Sequence, residues 1–311
     1  MFHTFTLIIP HYNIPDKLRR LLCTIPKRND LQIIVVDDSS TKNLSELEDV
    51  KRDFPFVEFY STISNGGGGK ARNIGMLHMT GDYIMFADAD DYFLPELERV
   101  IDKYRVTKEM PDIIFCNAIS VYDETEVPSS RTDHLNRIFK ILPRNPKKAQ
   151  QLFKFSFGEP WCKIIKRSVI IHNNIRFEEI PIHNDTKFSY LIGFYSKNIA
   201  YHSIPIYTVI DRKNSTSKAV NWKYLAIRTC VFANKKNFFV KHGINYRDPI
   251  TFNPLLIAIL NFRIDKFKEF IQIYQSYNIS QFASLIGCMC SLKFYILRKF
   301  SRIFTYLSLE K

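Results

Sequence analysis

The chain has 311 residues, of which 46% are hydrophobic and 24% are charged, as in a folded globular protein that can bury a core. Lys and Arg outnumber Asp and Glu by 44 to 31, and between residues 221 and 311 the count is 14 to 4, so we expect the last third to face something anionic. The six cysteines lack the spacing of a disulfide framework or a zinc site, which excludes a cysteine-stapled scaffold and favours a cytosolic protein. No stretch reaches about 18 uncharged apolar residues, so a membrane-spanning helix is not expected.

Predicted strands and helices alternate through the first third of the chain. In chain order they are a strand at residues 6–9, a helix at 16–23, a strand at 31–36, a helix at 44–52, a strand at 57–60, a helix at 70–80 and a strand at 83–87. This alternation predicts a largely parallel sheet that is buried on both faces. Ligands bind at the carboxyl ends of such strands, so we expect residues 10–13, 37–38 and 88–91 to share one crevice.

The strand at residues 83–87 leads directly into Asp88, Asp90 and Asp91. Carboxylates at one strand end repel each other, which predicts a divalent cation or a cluster of Arg and Lys beside them. The alternative is that Asp91 caps a helix that runs through Pro95. Capping does not require Asp88, which alternation places on the same side of the strand end as Asp90. Metal binding is therefore the favoured interpretation.

A glycine turn follows the third strand, in the sequence NGGGGKARNIG at residues 65–75. Glycines let a backbone approach a ligand, and free amides at a helix start attract phosphate. The spacing matches neither a P-loop nor a dinucleotide fingerprint, so a flexible surface turn remains the alternative. Arg72 lies one helical turn further on, where it can pair with the acids or hydrogen-bond a base.

The second half of the chain is less regular. A strand is predicted at 113–116, whereas residues 123–148 are polar and Pro-punctuated, either a surface connection or a substrate loop. Order returns at 161–165 and continues to 207, and from Trp222 the chain is predicted to be helical with breaks at Pro249 and Pro254. Residues 282–307 combine apolar residues with four basic ones. This segment is either an amphipathic helix on an anionic membrane or a helix that packs on the catalytic domain or another subunit.

Six segments in this order resemble bacterial family 2 glycosyltransferases, the inverting nucleotide-sugar enzymes with a GT-A fold. They are LIIPHYN, IIVVDDSS, NGGGGKARNIG, GDYIMFADADD, WCKIIKR and HNDTKF. The resemblance implies an α/β GT-A (Rossmann-like) catalytic domain over residues 1–220, with a mixed, mostly parallel sheet flanked by helices. Its nucleotide-sugar half ends near residue 110 and its acceptor half covers 111–220. A basic helical C-terminal extension over residues 221–311 follows.

The resemblance also implies residues that hold the donor nucleotide. It places Pro10, Tyr12, Asp38 and Arg72 at a uridine or related base. Tyr12 offers a stacking face and Asp38 can accept an imino proton. The alternative is that Asp38 or its neighbour Asp37 caps the next turn, and Asp37 is left unassigned.

The segment Asp88-Ala89-Asp90 is similar to the DxD motif of the family. By this resemblance Asp90 is a direct ligand of Mg²⁺ or Mn²⁺, and Asp88 faces the ribose or a metal-bound water. The cation would neutralise the leaving nucleoside diphosphate.

Inversion requires a general base for the acceptor hydroxyl, and the resemblance makes Asp185 the candidate. The family usually carries Glu-Asp here, whereas this chain has Asn184 before Asp185, which removes one charge beside the base. His183 is the rival base.

Three further residues are candidates for acceptor or diphosphate contacts. Trp161 is either an apolar wall for a sugar ring or a core aromatic. Arg212 and Lys213, with Tyr207 before them, resemble the flexible segment of the family that closes over the diphosphate. A solvated basic loop is the alternative.

The expected function is therefore transfer of a hexosyl group, with inversion, from a nucleotide-sugar donor such as a UDP-sugar. The expected acceptor is a saccharide or lipid-linked saccharide in capsule, O-antigen or lipooligosaccharide assembly. The location would be cytoplasmic, with peripheral contact to the inner membrane. The alternatives are a nucleotidyltransferase, or a basic membrane- or RNA-binding module without catalysis; no RNA motif is present, so no nucleic-acid partner is expected.

Overall fold

The structure of the protein, a computed structural model, describes residues 2–109, 111–212, 221–246, 248 and 250–307. The chain divides into two units at residues 218 and 219. The first unit contains β1 (Phe5–His11), α1 (Pro15–Cys23), β2 (Leu31–Asp37), α2 (Leu44–Asp53), β3 (Glu58–Ser61), α3 (Gly67–Leu77), β4 (Tyr83–Phe86), β5 (Tyr92–Phe93), α4 (Glu96–Arg105), β6 (Ile113–Tyr122), α5 (Asp133–Ile141), α6 (Pro146–Phe155), β7 (Lys163–Lys166), α7 (Arg167–His172), α8 (Thr186–Tyr195) and β8 (Ile199–Asp211). The second contains α9 (Trp222–Lys241), α10 (Asn253–Leu260), α11 (Ile264–Ser276) and α12 (Gln281–Leu307).

The strands of the first unit form one sheet in the order β3-β2-β1-β4-β7-β6-β8-β5. β1 pairs in parallel with β2 and β4, and β2 with β3, whereas β7 is antiparallel to both of its neighbours. β6 pairs in parallel with β8, and the short β5 is antiparallel to β8. The predicted fold class, a mixed and mostly parallel sheet flanked by helices, is confirmed.

The central strands are apolar along their whole length because helices cover both faces of the sheet. Every residue of β4 is buried, and in each of β1 and β2 all residues but one are buried. The amphipathic helices α1 and α4 bury their apolar faces, including Leu18 and Val100, on this sheet. This packing holds the strand ends, and the polar residues that follow them, in one rigid frame.

The structure differs from the sequence prediction at three places. Residues 123–148 were expected to be irregular, but they contain α5 and the start of α6, because Asn145 caps α6 through the Lys148 amide and Pro146 occupies its first turn. α3 begins at Gly67, within the glycine turn. Pro254 lies in the first turn of α10 instead of breaking a helix, and Pro249 lies outside the described residues.

The second unit has its own core. Its members come from the four helices and the turns between them and include Leu225, Leu255, Phe270, Tyr274 and Cys288. The Tyr274 hydroxyl donates to the carbonyl of Thr251 at 2.5 Å, which satisfies a polar group inside this core. In the part of the chain that the structure describes, no helix is long and apolar enough to cross a membrane.

Candidate active site

The carboxyl ends of β1, β2 and β4 lie side by side at one edge of the sheet. His11 is paired with Asp37 in the register of β1 and β2, and the Ala87 amide donates to the Ile8 carbonyl just beyond β4. The segments that follow these three strands are therefore neighbours in space. Tyr12 is 44% exposed at this edge. Pro10, two residues earlier in β1, is half-buried.

Asp37 forms a buried pair with His11. Nε2 of His11 accepts the Ile14 amide, so Nδ1 carries the proton and donates to the Asp37 carboxylate at 2.9 Å. The hydroxyl and amide of Ser40 donate to the same carboxylate. Burial opposes ionisation of Asp37, but these hydrogen bonds outweigh it and lower its pKa. Asp37 therefore joins the two strand ends and is not free for a ligand.

The Asp38 carboxylate holds the glycine turn. It accepts the amides of Gly66 at 3.0 Å and Gly67 at 2.6 Å and the hydroxyl of Thr62 at 3.0 Å, and the residue is 3% exposed. The amides that the sequence suggested for a phosphate thus bind an internal carboxylate. The turn directly after β2 is capped by Asp37, through the Ser40 amide, and not by Asp38. A base would have to share the Asp38 carboxylate with the glycine turn.

Two positions of the turn, Gly69 and Gly67, require glycine. A Cβ atom on Gly69 would lie 2.2 Å from the backbone oxygen of Glu178, so the segment before α8 packs directly on the backbone of α3. Gly67 has a φ of +80°, which also favours glycine. Both glycines serve the turn and its packing, and they bring α3 next to the residues that lead to Asp185.

Arg72 of α3 joins two parts of the site. One terminal nitrogen donates to Asp88 at 2.6 Å and the other donates to the side chain of Asn184 at 3.2 Å. The guanidinium lies 5.4 Å from the ring centroid of Phe177, and the residue is 7% exposed. Because the guanidinium is buried and planar, it places the Asp88 carboxylate and the segment before α8 on two sides of one cation.

The carboxylates after β4 are neutralised by arginines. Asp88 pairs with Arg72, and Asp90 forms a close ion pair with Arg212 at the end of β8. Arg20 of α1 donates to the backbone carbonyl of Asp90. The sequence predicted either a cation or an Arg and Lys cluster here, and the structure contains the arginine cluster.

The sequence alternative, in which Asp91 caps α4, is not seen in the structure. The Asp91 carboxylate accepts the Ile210 amide of β8 at 2.8 Å, and the residue is 3% exposed. Burial and the nearby Asp88 carboxylate raise its pKa. Tyr207, which the sequence assigned to a flexible closing segment, is instead fully buried in β8, and its hydroxyl accepts the Asp88 amide at 2.9 Å. β8 therefore supports the aspartate segment from behind.

Asp185 is the residue immediately before α8. It is half-buried, and its carboxylate makes no hydrogen bond to the first turn of the helix. Burial raises its pKa to about 6, with the positive charge of Arg72 opposing the shift. A carboxylate that is not engaged as a cap and has a raised pKa has the properties of a general base at neutral pH.

A second polar cluster, which the sequence analysis missed, lies beside α8. Ser189, one turn after Asp185, donates to the Gly158 carbonyl, and His134 of α5 contacts the carboxylate of Glu159 at 3.2 Å. Burial opposes ionisation of Glu159, but the hydrogen bond with His134 outweighs it and lowers the pKa to about 2. No local pattern indicated this cluster, because its members come from three separate elements.

Lys163 ties this cluster together and is 2% exposed. Its ammonium donates to the carbonyls of Phe157, at 2.8 Å, and Glu159, and to the Ser189 hydroxyl at 3.0 Å. These contacts satisfy acceptors from the loop after α6 and from α8.

We expect Lys163→Met to destabilise the protein by about 3 kcal/mol, because the buried oxygen atoms that accept from Lys163 lose their donor. Urea unfolding followed by circular dichroism measures this change. Lys154→Met, which removes a hydrogen bond to Ser196, should cost about 1 kcal/mol, and equal losses in both variants would contradict the assignment.

The three remaining sequence candidates have different outcomes. Trp161 is 3% exposed and packs on Phe157 and Tyr207, so the structure favours the core alternative over a sugar-binding wall. Arg212 lies at the aspartate segment, and Lys213 lies outside the described residues.

The donor set after β4 fits a divalent cation that is shared with a substrate. Asp88 and Asp90 keep 35% and 15% of their side-chain surface exposed, and their oxygens are hard ligands. Among the described residues, no group of three His, Cys, Asp or Glu side chains is arranged to hold a metal. Mg²⁺ sites of this kind use one or two carboxylates and complete the shell with phosphate oxygens and water.

Comparison with known protein families gives one clear match. The family model described as Glycosyl transferase family 2 matches residues 6–173, which is more than half of the chain. Glycosyltransferase GlyA of Streptococcus pneumoniae is 24% identical over 258 residues, or 78% of this chain and 36% of that protein. The chain spans between 36% and 63% of the length of the first curated relatives that it matches.

Two solved structures are similar over most of the chain. Staphylococcus aureus TarS, residues 1–349 in complex with UDP-GlcNAc, has a TM-score of 0.58 at 18% identity and aligns with 94% of this chain and 91% of that one. The mannosyltransferase PcManGT of Pyrobaculum calidifontis, in complex with GDP-Man and Mn²⁺, has a TM-score of 0.53 at 14% identity, with coverages of 94% and 88%. At these identities the likeness shows a shared fold.

Proposed function

The chain belongs to glycosyl transferase family 2 and has the GT-A fold, and from this premise we propose that it transfers a sugar, with inversion, from a nucleotide-sugar donor to a hydroxyl of a saccharide or lipid-linked saccharide. The observation that carries the proposal is the position of Arg72. Its guanidinium bonds Asp88 on one side and Asn184, the neighbour of Asp185, on the other. Asp88 and the segment that carries the proposed base therefore flank one buried guanidinium.

The donor would bind along the edge formed by β1, β2 and β4. Tyr12 is exposed there and offers a face for the base to stack on, next to Pro10. Asp38 and Arg72 border the same edge, where the Asp38 carboxylate would accept a hydrogen bond from an N–H of the base while it holds the glycine turn. A uridine donor is the choice that the UDP-GlcNAc complex of TarS supports.

Asp90 would hold Mg²⁺ or Mn²⁺ together with the diphosphate, and Asp88 would face the ribose or a metal-bound water. The Mn²⁺ complex of PcManGT supports the use of a divalent cation. The bound cation supplies neutralisation of the charge that develops on the leaving group. Arg212 pairs with Asp90 in this structure, and its guanidinium is 44% exposed. When a diphosphate occupies the edge, Arg212 would release Asp90 and pair with phosphate oxygens.

Asp185 would accept the proton of the acceptor hydroxyl as the oxygen attacks the anomeric carbon of the donor. The new glycosidic bond forms on the face opposite the diphosphate, and the bond from the anomeric carbon to the diphosphate oxygen breaks, so the configuration inverts. The proton remains on Asp185 and the nucleoside diphosphate leaves. Asn184 keeps Arg72 in place without adding a second negative charge beside Asp185.

The pH dependence of turnover follows from the pKa of Asp185, which is about 6. Above this value the carboxylate is ionised and can accept a proton, whereas below it the carboxyl is protonated and the base is lost. We expect kcat/KM for donor turnover to level off above about pH 6 and to fall about tenfold for each further pH unit of acidification. Donor hydrolysis in a series of buffers of different pH measures this fall, the acidic limb of the pH–rate profile.

Asn184→Asp sharpens this prediction, because a second carboxylate beside Asp185 disfavours ionisation and moves the limb to higher pH. Asn184→Gln is the matched control and should leave the limb where it is. If the acidic limb lies at the same pH in Asn184→Asp and Asn184→Gln, a group other than Asp185 controls it.

Release of nucleoside diphosphate tests the proposed function. The full chain is incubated with UDP-, GDP- and dTDP-sugars and Mn²⁺, with and without a chelator. We expect slow release of one nucleotide, which the chelator abolishes. Tight donor binding without turnover would mean that the acceptor completes the site, whereas a folded protein that binds none of the donors would refute the proposal.

A further inference from the structure

The outward face of α12 is apolar over residues 282–292. Phe282, Met289 and Ile286 are exposed by 73%, 70% and 46%, and Leu285 and Leu292 by 40% and 39%. Their spacing of three and four residues places them in one stripe along the helix. In the part of the chain that the structure describes, these side chains face solvent.

Over residues 281–293, where the side chains of α12 are described, the inward face of the helix is made of small residues. Ser284, Cys288 and Ser291 are buried, and a Cβ atom on Gly287 would lie 2.1 Å from the ring of Phe252. A helix that only had to pack on its own unit would bury its large apolar residues and expose its small polar ones. The reversed arrangement means that the outward face needs a partner of its own.

We propose that the outward stripe of α12 binds the surface of an anionic lipid membrane, with the helix lying in the plane of the interface. This inference goes beyond sugar transfer and does not depend on it. The segment from residue 282 to 307 contains four basic and no acidic residues, and residues 221–311 contain 14 basic and 4 acidic ones. Apolar residues inserted among the headgroups, with Lys and Arg attracted to anionic lipid, are the combination that holds an amphipathic helix at a membrane surface.

Charge decides between this partner and a second copy of the chain. Two copies that met through α12 would bring together two segments that each carry 14 basic and 4 acidic residues, and this excess of like charge opposes association. A nucleic acid would match the charge but would leave the apolar stripe without a partner. An anionic lipid surface satisfies both the apolar residues and the charge.

Vesicle flotation with the full chain tests the proposal. We expect binding to vesicles that contain phosphatidylglycerol, weaker binding to pure phosphatidylcholine vesicles, and loss of the difference at high salt. Met289→Asp should weaken partitioning by at least about tenfold, because an apolar anchor is removed and a like charge is added. Lys293→Gln should weaken binding about fivefold on anionic vesicles and leave binding to neutral ones unchanged.

Val240→Asp is the matched control, since Val240 is 65% exposed on α9 and the substitution adds the same charge elsewhere in the unit. It should change partitioning less than about twofold, and circular dichroism should be the same in all variants. Equal losses in Met289→Asp and Val240→Asp, or no binding to anionic vesicles, would overturn the proposal. A dimer that Met289→Asp dissociates, without vesicle binding, would identify the stripe as an interface between copies and would also overturn it.

Discussion

Replacement of Asp185 by asparagine is expected to lower donor turnover by about three orders of magnitude while donor binding is kept. The reason is that asparagine has nearly the same shape but cannot accept the proton of the attacking hydroxyl. The carboxylate does not cap α8, so its loss does not remove a hydrogen bond from the first turn. Turnover is measured as release of nucleoside diphosphate, and binding is measured by calorimetry with the intact donor.

His183→Asn is the matched control for this variant, because His183 is the rival base two residues earlier. Its turnover should stay within a few fold of the unmodified protein, and its acidic limb should stay at the same pH. The reverse result, in which His183→Asn loses turnover and Asp185→Asn keeps it, would transfer the role of base to His183. Comparable losses in both variants would point to a structural role for the segment before α8.

Asp90→Ala is expected to lower metal-dependent turnover by about a thousandfold and to raise the Mn²⁺ concentration needed for half-maximal rate. The variant removes the carboxylate that we propose as a metal ligand and leaves Arg212 without this partner. Its effect on stability should be small, about 1 kcal/mol or less, because a partly exposed ion pair contributes little. A Mn²⁺ titration of donor hydrolysis, together with urea unfolding, measures both quantities.

Asp102→Ala is the control, since Asp102 also pairs with an arginine, Arg28, and its side chain is 57% exposed on α4. Its Mn²⁺ dependence should equal that of the unmodified protein. Arg212→Gln separates the proposed role of Asp90, metal binding, from that of Arg212, pairing with phosphate oxygens. The Asp90 carboxylate is kept, so Mn²⁺ affinity should be unchanged, whereas turnover should fall because the diphosphate loses a cationic partner. Unchanged Mn²⁺ dependence in Asp90→Ala would show that the cation is held elsewhere or is not used.

The sheet and its strand ends could be predicted from sequence because their signals are local. A run such as residues 83–87 is apolar because both faces of the sheet are covered, and the polar residues start where the strand leaves the core. The helices α5 and α6 were missed because they lie in a polar, Pro-punctuated stretch, where packing of residues such as Leu135 and Phe153 on the sheet stabilises them.

The roles of individual aromatic residues were harder to predict. Trp161 and Tyr207 are both large and amphipathic, and their types are compatible with either a core or a ligand site. The structure buries both, and they stack on one another with ring centroids 5.9 Å apart. Exposure is a property of the whole packed chain, so no local pattern could decide it.

The sequence by itself determined that carboxylates end β4, that a glycine turn opens α3 and that an aspartate precedes α8, because each of these is a property of neighbouring residues. Only the tertiary structure decided which charges meet. Arg72 reaches Asn184 across 112 residues of sequence, and Tyr207 reaches the Asp88 amide across 119. Such partners are chosen by the packing of α3, α8 and β8 on the sheet, and the pKa values that govern the proposed chemistry depend on that packing.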